Sequence, residues 1–316
     1  MRDEKKCKAL AERIFLNDLS ECEYFPKYIE INTVDGCNSR CVMCLRANDA
    51  KDKKSYFMTD ELFDKFVDEV KEYTDWIEMI LVTCLGEPLL DPKLPERIKK
   101  LKDIGIKHIH ISTNAALLTE EWVYKLYESK VDDIRISLDG LSKEVYEAVR
   151  VGLNYDIVKK NVLNFLRIRE ELKWDVEVRI RMVGLDINKN EQEAWMAYWR
   201  SQVRPTDRVQ IIPAEPMGKF HEKERAEFEE AMKDVLCVSV FSTVVIKADG
   251  SVQFCCMNTE DKYVIGNMAE TKIADIWRSP KMKKVRELHM EGKRNEISVC
   301  RGCITWNNEY IEDEHE

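Results

Sequence analysis

Eleven cysteines stand in this chain of 316 residues, and their spacing is the first chemistry it offers. Cys37-Asn-Ser-Arg-Cys41-Val-Met-Cys44 puts three thiols on one short stretch. Three thiolates so spaced can wrap one corner of an iron–sulfur cubane. A [4Fe–4S] cluster takes four ligands, so one iron would stay open to an exogenous group. The competing reading is a zinc knuckle, but zinc usually takes paired CxxC units and a closed tetrahedron. No fourth ligand lies nearby in the sequence. A second set, Cys237, Cys255 and Cys300-Arg-Gly-Cys303, brackets a hairpin and a helical segment and points to one closed site. A structural zinc ribbon is the alternative there. Cys256 adjoins Cys255, and either could be the ligand. Cys7, Cys22 and Cys84 remain. Buried free cysteine is usually inert, but Cys84 lies beside the turn Leu85-Gly86-Glu87-Pro88. Glu87 is a carboxylate able to receive an ammonium, or simply part of that turn. The five histidines show no metal-like spacing. His108 and His110 are acid–base candidates or ordinary polar core groups.

Alternating strands and helices must position these groups. Strand patterns cover 28–34, 76–84, 106–112, 132–138, 175–183 and 208–212. Helical patterns cover 60–73 after Thr59, 93–104 ending at Gly105, 120–129 after Thr119, 155–172 after Asn154, and 189–201 after Asn188. Six β/α repeats with helical crossovers imply a parallel sheet curved into a full or partial barrel. The segment 28–218 is shorter than the roughly 250 residues of an eight-fold barrel. A second region follows near Gly218. The charged stretch 221–233 reads as a solvated helix. Strands 243–247 and 251–255 around Ala248-Asp249-Gly250 read as a hairpin, because Asp-Gly supplies the positive φ of a tight turn. Segments 271–277 and 281–290 read as short helices broken at Pro280. This gives an extension at 1–27, a barrel at 28–218 and a small domain at 219–316.

Several strands alternate polar and apolar residues. His108, His110, Ser112 and Asn114 share one face. So do Asp133, Arg135, Ser137 and Asp139, and likewise Asp175, Glu177, Arg179 and Arg181. Glu30 and Asn32 do the same in the first strand. Helices must cover the apolar face, so the polar face points into the barrel. Barrel interiors are normally packed with branched apolar side chains. A polar interior therefore suggests a cavity for a polar ligand. An antiparallel sheet with one wet face is the alternative.

Composition narrows the classes. Hydrophobic residues make up 44%, with seven Trp, eleven Tyr and ten Phe, which is ample for a core. A formal charge of −9 is a poor default for nucleic-acid binding. No stretch approaches the roughly 18 uncharged residues of a membrane span. The N-terminus mixes both charge signs and lacks a signal-peptide core, so the cytoplasm is the expected compartment. There clustered thiols mean metal more often than disulfides.

The Cys37–Cys41–Cys44 spacing resembles the radical S-adenosylmethionine (SAM) family. The resemblance implies an α/β fold, a partial (β/α)6 TIM-like barrel, with the cluster loop after its first strand. In that family the open iron chelates SAM, and one electron releases a 5′-deoxyadenosyl radical. Met43 stands where the family often has an aromatic residue, and it could pack beside adenine. Leu85-Gly86-Glu87-Pro88 resembles the family's GGEP-like motif, with Gly86 and Glu87 matching and Leu85 replacing the first glycine. It implies that Glu87 binds the SAM amino group. Ser112 and Asn114 fall where members place groups near the ribose, and Ser137-Leu138-Asp139-Gly140 resembles their ribose-contacting segment. Arg150 could face the SAM carboxylate or lie at the surface. The C-terminal region resembles SPASM/twitch domains, giving a small α+β iron–sulfur domain. Four cysteines fit the shortened twitch form with a single [4Fe–4S] cluster, and the twitch spacing favours Cys255 over Cys256. The resemblance implies two [4Fe–4S] clusters, SAM, and an external one-electron reductant such as flavodoxin or ferredoxin.

The first 27 residues are too few for a peptide-recognition domain, which favours a small substrate. A sugar or aminocyclitol suits the polar lining. Similarity to dehydrogenases acting on an aminocyclitol implies oxidation of a hydroxyl, with the second electron passing to the auxiliary cluster. Arg179, Arg181 or a histidine could orient or deprotonate that hydroxyl. A redox-neutral epimerase would use Cys84 or Cys256 as hydrogen-atom donor. Dehydration of a diol, peptide modification and a zinc-stapled binding module are the other readings.

Overall fold

The computed structural model describes residues 4–44, 56–83, 85–214, 228–257 and 263–304. Cys84 and most of 221–233 lie outside the described residues. The strands are β1 (Tyr28–Ile31), β2 (Val34–Asp35), β3 (Tyr56–Phe57), β4 (Met79–Leu81), β5 (Ile109–Thr113), β6 (Asp133–Ser137), β7 (Glu177–Gly184), β8 (Arg208–Pro213), β9 (Thr243–Ile246), β10 (Ser251–Gln253) and β11 (Val264–Asn267). Nine of them form one sheet in the order β11-β10-β9-β1-β4-β5-β6-β7-β8. Pairing from β1 through β4, β5, β6 and β7 to β8 is parallel. That is the partial barrel expected from the six repeats, and it removes the antiparallel alternative for these strands.

Among the described helices are α1 (Glu4–Arg13), α2 (Asp60–Val70), α3 (Leu94–Asp103), α4 (Glu120–Ser129), α5 (Lys143–Val149), α6 (Tyr155–Glu171), α7 (Gln192–Arg200), α8 (Val238–Ser242), α9 (Ile273–Trp277) and α10 (Pro280–Met290); residues 228–232 of the charged stretch are also helical. Thr59, Thr119 and Asn154 each accept a backbone N–H at a helix start, as read from sequence. Asn188 does not cap α7. It sits in a 3-10 turn, where its Oδ1 accepts from Leu185 N at 2.9 Å, and α7 begins at Gln192. Pro280 is the first residue of α10 after the Ser279 cap, so it starts a helix rather than breaking one. Ile109, Ile111, Ile134, Ile136, Val178 and Ile180 are fully buried, packed with Val158, Val162 and Phe165 of α6 and with Trp195 of α7. This is the apolar face that the alternation assigned to the helices.

The C-terminal hairpin is not a detached unit. β9 pairs in parallel with β1, and β10 pairs antiparallel with β9, so the hairpin extends the barrel sheet. The N-terminal segment is tied to the same side. Lys6 reaches the Asp234 carbonyl, and Trp277 donates its indole N–H to the Cys22 carbonyl at 2.6 Å.

Candidate active site

Strand register turns the polar alternation into rows across the barrel wall. His110, Asp133 and Glu177 are register partners in one row. Two residues further along each strand, Ser112, Arg135, Arg179 and Arg208 form the next. Ser137, Arg181 and Gln210 form the one nearest the C-terminal strand ends. The rows are knitted together. Arg179 donates to Asp133 Oδ2 at 2.8 Å and to Glu177 Oε1 at 3.0 Å. His110 Nδ1 lies 2.8 Å from the same Asp133 oxygen. Burial alone would raise the Asp133 carboxyl, but hydrogen bonds from His108 and His110 and the Arg179 charge hold it well below the usual range. Burial lowers His110 to about 4, so it is neutral. Arg181 donates to Gln210 Oε1 at 3.3 Å. Asp175 departs from expectation: β7 starts two residues later, and Asp175 is exposed rather than part of the lining.

The groups read as SAM contacts meet at the C-terminal ends of these strands. Glu87 is 1% exposed. Its Oε1 accepts from Thr113 Oγ1 at 2.6 Å and Leu89 N at 3.2 Å, and its Oε2 accepts from Asn114 N at 2.8 Å. Burial pushes this carboxyl up to about 7 against those three hydrogen bonds. A carboxylate has about four acceptor sites, so it retains capacity for a ligand donor. Gly86 has φ +156°, and a Cβ there would sit 2.6 Å from the Gly36 carbonyl oxygen. The Gly-Glu-Pro turn therefore presses directly on the residue before Cys37, and Glu87 N also donates to Gly36 O at 2.9 Å.

The cysteine loop is pinned from several sides. Arg40 N and Val42 N donate to the carbonyls of Val151 and Val149 at 2.8 and 3.0 Å. Asn114 donates its side-chain amide to Asn38 Oδ1 at 2.7 Å. Cys37 and Cys41 turn their sulfurs towards one hydroxyl, Ser39 Oγ, at 3.2 and 3.4 Å. Met43 is half-buried and Cys44 exposed at the loop's end. Arg150, read as either a SAM contact or a surface group, is largely enclosed, with 12% of its side chain exposed. It pairs with Asp139 and approaches Cys41 Sγ at 3.4 Å. Asp139 also accepts from Val183 N, joining β6, β7 and the exit of α5. Gly140 beside it is needed for close approach, because a Cβ would sit 2.6 Å from Tyr146 N. Ser112 and Ser137 are half-buried in the rows below.

Cys237, Cys255, Cys300 and Cys303 are each 6–8% exposed. Burial pushes the Cys237 thiol up to about 12, with the charges of Cys255 and Cys303 adding to the rise. Cys300 is raised by burial and then by Cys237 and Cys255. Four buried sulfurs thus lie close enough for their charges to act on one another. Cys256 is half-buried beside them. Among the described residues, three ligand atoms within 4.8 Å of one another occur at His108, Asp133 and Glu177. Four thiolates are the donor set that a fully ligated [4Fe–4S] cluster takes.

Asn38, Thr113 and Asn188 were not read as site residues. Asn38 lay inside the cysteine motif, and its position there was the available signal. Thr113 occupies the apolar phase of its strand and gave none. Asn188 bridges Asp139 O and Val183 O with its amide, at 3.2 and 2.8 Å, which sequence showed merely as a cap.

A family model described as the radical SAM superfamily matches residues 31–196, and one for the SPASM iron–sulfur cluster-binding domain matches 237–304. The first covers more than half of the sequence, and the chain belongs to the radical SAM superfamily. Its cofactors are accordingly SAM and [4Fe–4S] clusters, and members of the family draw on an external reductant. A probable GTP 3′,8-cyclase of Methanococcus maripaludis is 30% identical over 194 residues, 61% of this chain and 62% of that protein. A tungsten-containing aldehyde ferredoxin oxidoreductase cofactor-modifying protein of Pyrococcus furiosus is 27% identical over 146 residues, 46% of this chain and 40% of that one. The chain thus spans under two-thirds of the length of these curated relatives. Among solved structures, BtrN in complex with AdoMet and 2-DOIA has a TM-score of 0.59 at 18% identity, covering 90% of this chain and 94% of that one. AdoMet-bound anSMEcpe has a TM-score of 0.62 at 20% identity, covering 83% of each. These likenesses establish the fold. No helix among the described residues is long and apolar enough to cross a membrane.

Proposed function

We propose that Cys37, Cys41 and Cys44 hold a cluster with one open iron, that Cys237, Cys255, Cys300 and Cys303 hold a second with none, and that the chain oxidises a hydroxyl of a small polar molecule such as a sugar or aminocyclitol. Bound there, these groups supply a hydrogen-atom abstractor at the first site and a one-electron acceptor at the second. The substrate loses one hydrogen atom from carbon, one proton from oxygen, and one electron. Glu87, Asn114 and Arg150 hold SAM above the strand ends. Arg181 and Gln210, paired in the row nearest the strand ends, orient the hydroxyl. Arg179 is committed to Asp133 and Glu177, and guanidinium does not deprotonate, so neither arginine is the base.

The observation that carries this reading is the complete set of four buried auxiliary sulfurs, which leaves no vacant position for substrate and so suits electron transfer. The test is anaerobic turnover with SAM and dithionite on a panel of sugars and aminocyclitols. A product lacking two hydrogens, formed with 5′-deoxyadenosine, supports it. A product isomeric with the substrate in H2O and one mass unit heavier in D2O, lost in Cys256→Ala or Cys84→Ala, overturns it in favour of epimerisation.

One observation favours a second reading. Arg135, Arg179 and Arg208 stand in register across three strands, and the relatives include proteins named GTP 3′,8-cyclase. An anionic nucleotide would suit that row. GTP belongs in the same panel, where a product isomeric with it would establish this alternative.

A further inference from the structure

Arg294 is 1% exposed and lies in the C-terminal domain, in a 3-10 turn after α10. Its Nη2 donates to the Cys303 carbonyl at 3.0 Å and its Nη1 to the Val235 carbonyl at 3.1 Å. Nε has no hydrogen-bond partner. Among the described residues no carboxylate lies within ion-pair distance of it. The neighbouring His289 is lowered to about 3 by burial and by the Arg294 charge, so it adds no second cation there. A buried guanidinium satisfied by two carbonyls alone is expensive, because its full charge is out of water without a counter-ion. The fold places the missing anion next to it. The carbonyls it holds belong to Cys303, one auxiliary cysteine, and to Val235, two residues before Cys237.

We propose that Arg294 is the counter-cation of the auxiliary cluster, holding both arms of the cysteine site and shifting its midpoint potential upwards so that it accepts the substrate's second electron. The inference rests on the reading that these four cysteines hold a cluster. Reduction adds negative charge to an already anionic group. A fixed positive charge in a low-dielectric surrounding stabilises the reduced form more than the oxidised one. Arg294 is a positioning and tuning residue; it need not touch substrate.

The test uses the full chain carrying Cys37→Ala, Cys41→Ala and Cys44→Ala, so that the auxiliary site alone reports. Iron and sulfide are quantified, and the midpoint is read by an EPR-monitored redox titration in the parent, Arg294→Gln and Arg294→Lys. The expected result is a negative shift in Arg294→Gln and a midpoint near the parent in Arg294→Lys. If Arg294→Gln loses iron while Arg294→Lys keeps both iron and midpoint, the charge assignment also holds. An unchanged midpoint in Arg294→Gln at full iron content overturns the inference and leaves the cluster reading intact. So does loss of iron in both variants, which would make the two-carbonyl clamp sufficient. A parent that binds zinc and no iron overturns the cluster reading and this inference with it.

Discussion

Asp139→Asn probes the buried joint beneath the first cysteine loop. Asp139 is fully buried, and Arg150 has 12% of its side chain exposed. The amide is nearly isosteric and can still accept from Val183 N. What it removes is the negative charge opposite a guanidinium that stays ionised. Breaking a buried ion pair from one side typically costs about 3–5 kcal/mol, because the remaining charge is left uncompensated. At about 1.4 kcal/mol per decade, the folding equilibrium weakens roughly a hundredfold to several thousandfold. Arg150 also lies 3.4 Å from Cys41 Sγ. Once that sulfur is a metal-bound thiolate it offers a substitute anion, so the loss is smaller in the cluster-loaded protein than in the apoprotein. Urea melts of both forms, with Arg150→Met and the double variant completing a cycle, measure this. An apoprotein loss below about 1 kcal/mol, or costs that simply add in the double variant, would refute the assignment of a coupled buried pair.

Other outcomes follow from the same geometry. The Glu87 carboxyl is raised to about 7 in the fold from 4.5. Folding therefore favours its protonated form. Its contribution to apoprotein stability is full below about pH 4.5 and declines as pH rises through about 7, by at most about 3 kcal/mol. Denaturant melts between pH 5 and 8 should show that slope, and Glu87→Gln should flatten it. Gly86→Ala should destabilise the chain by about 2 kcal/mol or more, since its Cβ would enter the Gly36 carbonyl at a positive φ; a melt matching wild type would contradict this. Replacing Cys37, Cys41 and Cys44 with alanine should lower iron from about eight to about four per chain and abolish 5′-deoxyadenosine formation. Replacing Cys300 and Cys303 should lower iron similarly while SAM cleavage persists and substrate oxidation is lost.

Strand and helix placement was largely legible because period-two and helical patterns were clear. Glu120–Ser129 was read to the residue. The short helix Lys143–Val149 was missed, since seven residues offer barely two turns of periodicity. The cysteine sets stood out by type and spacing, and Glu87 and Asp139 were singled out through the family resemblance. The partners that hold them were not. Thr113 binds Glu87 from an apolar-phase position, and Asn188 reaches Asp139 across 49 residues. Such contacts depend on tertiary register. The same holds for Arg294, whose burial without a carboxylate partner among the described residues becomes visible only when neighbouring elements close around it. The continuity of β9 with β1 was also hidden, because β-pairing between segments over two hundred residues apart leaves no local pattern.

That continuity constrains how electrons can travel. β1 leads towards the Cys37 loop, and β9 opens the hairpin that ends near Cys255. With the clusters held as proposed, one main-chain ladder would join both sites, and their separation would be fixed by covalent and ladder geometry rather than by a docking event. The same ladder means that a chain cut before Val238 would leave β1 with a raw hydrogen-bonding edge, which invites intermolecular strand addition.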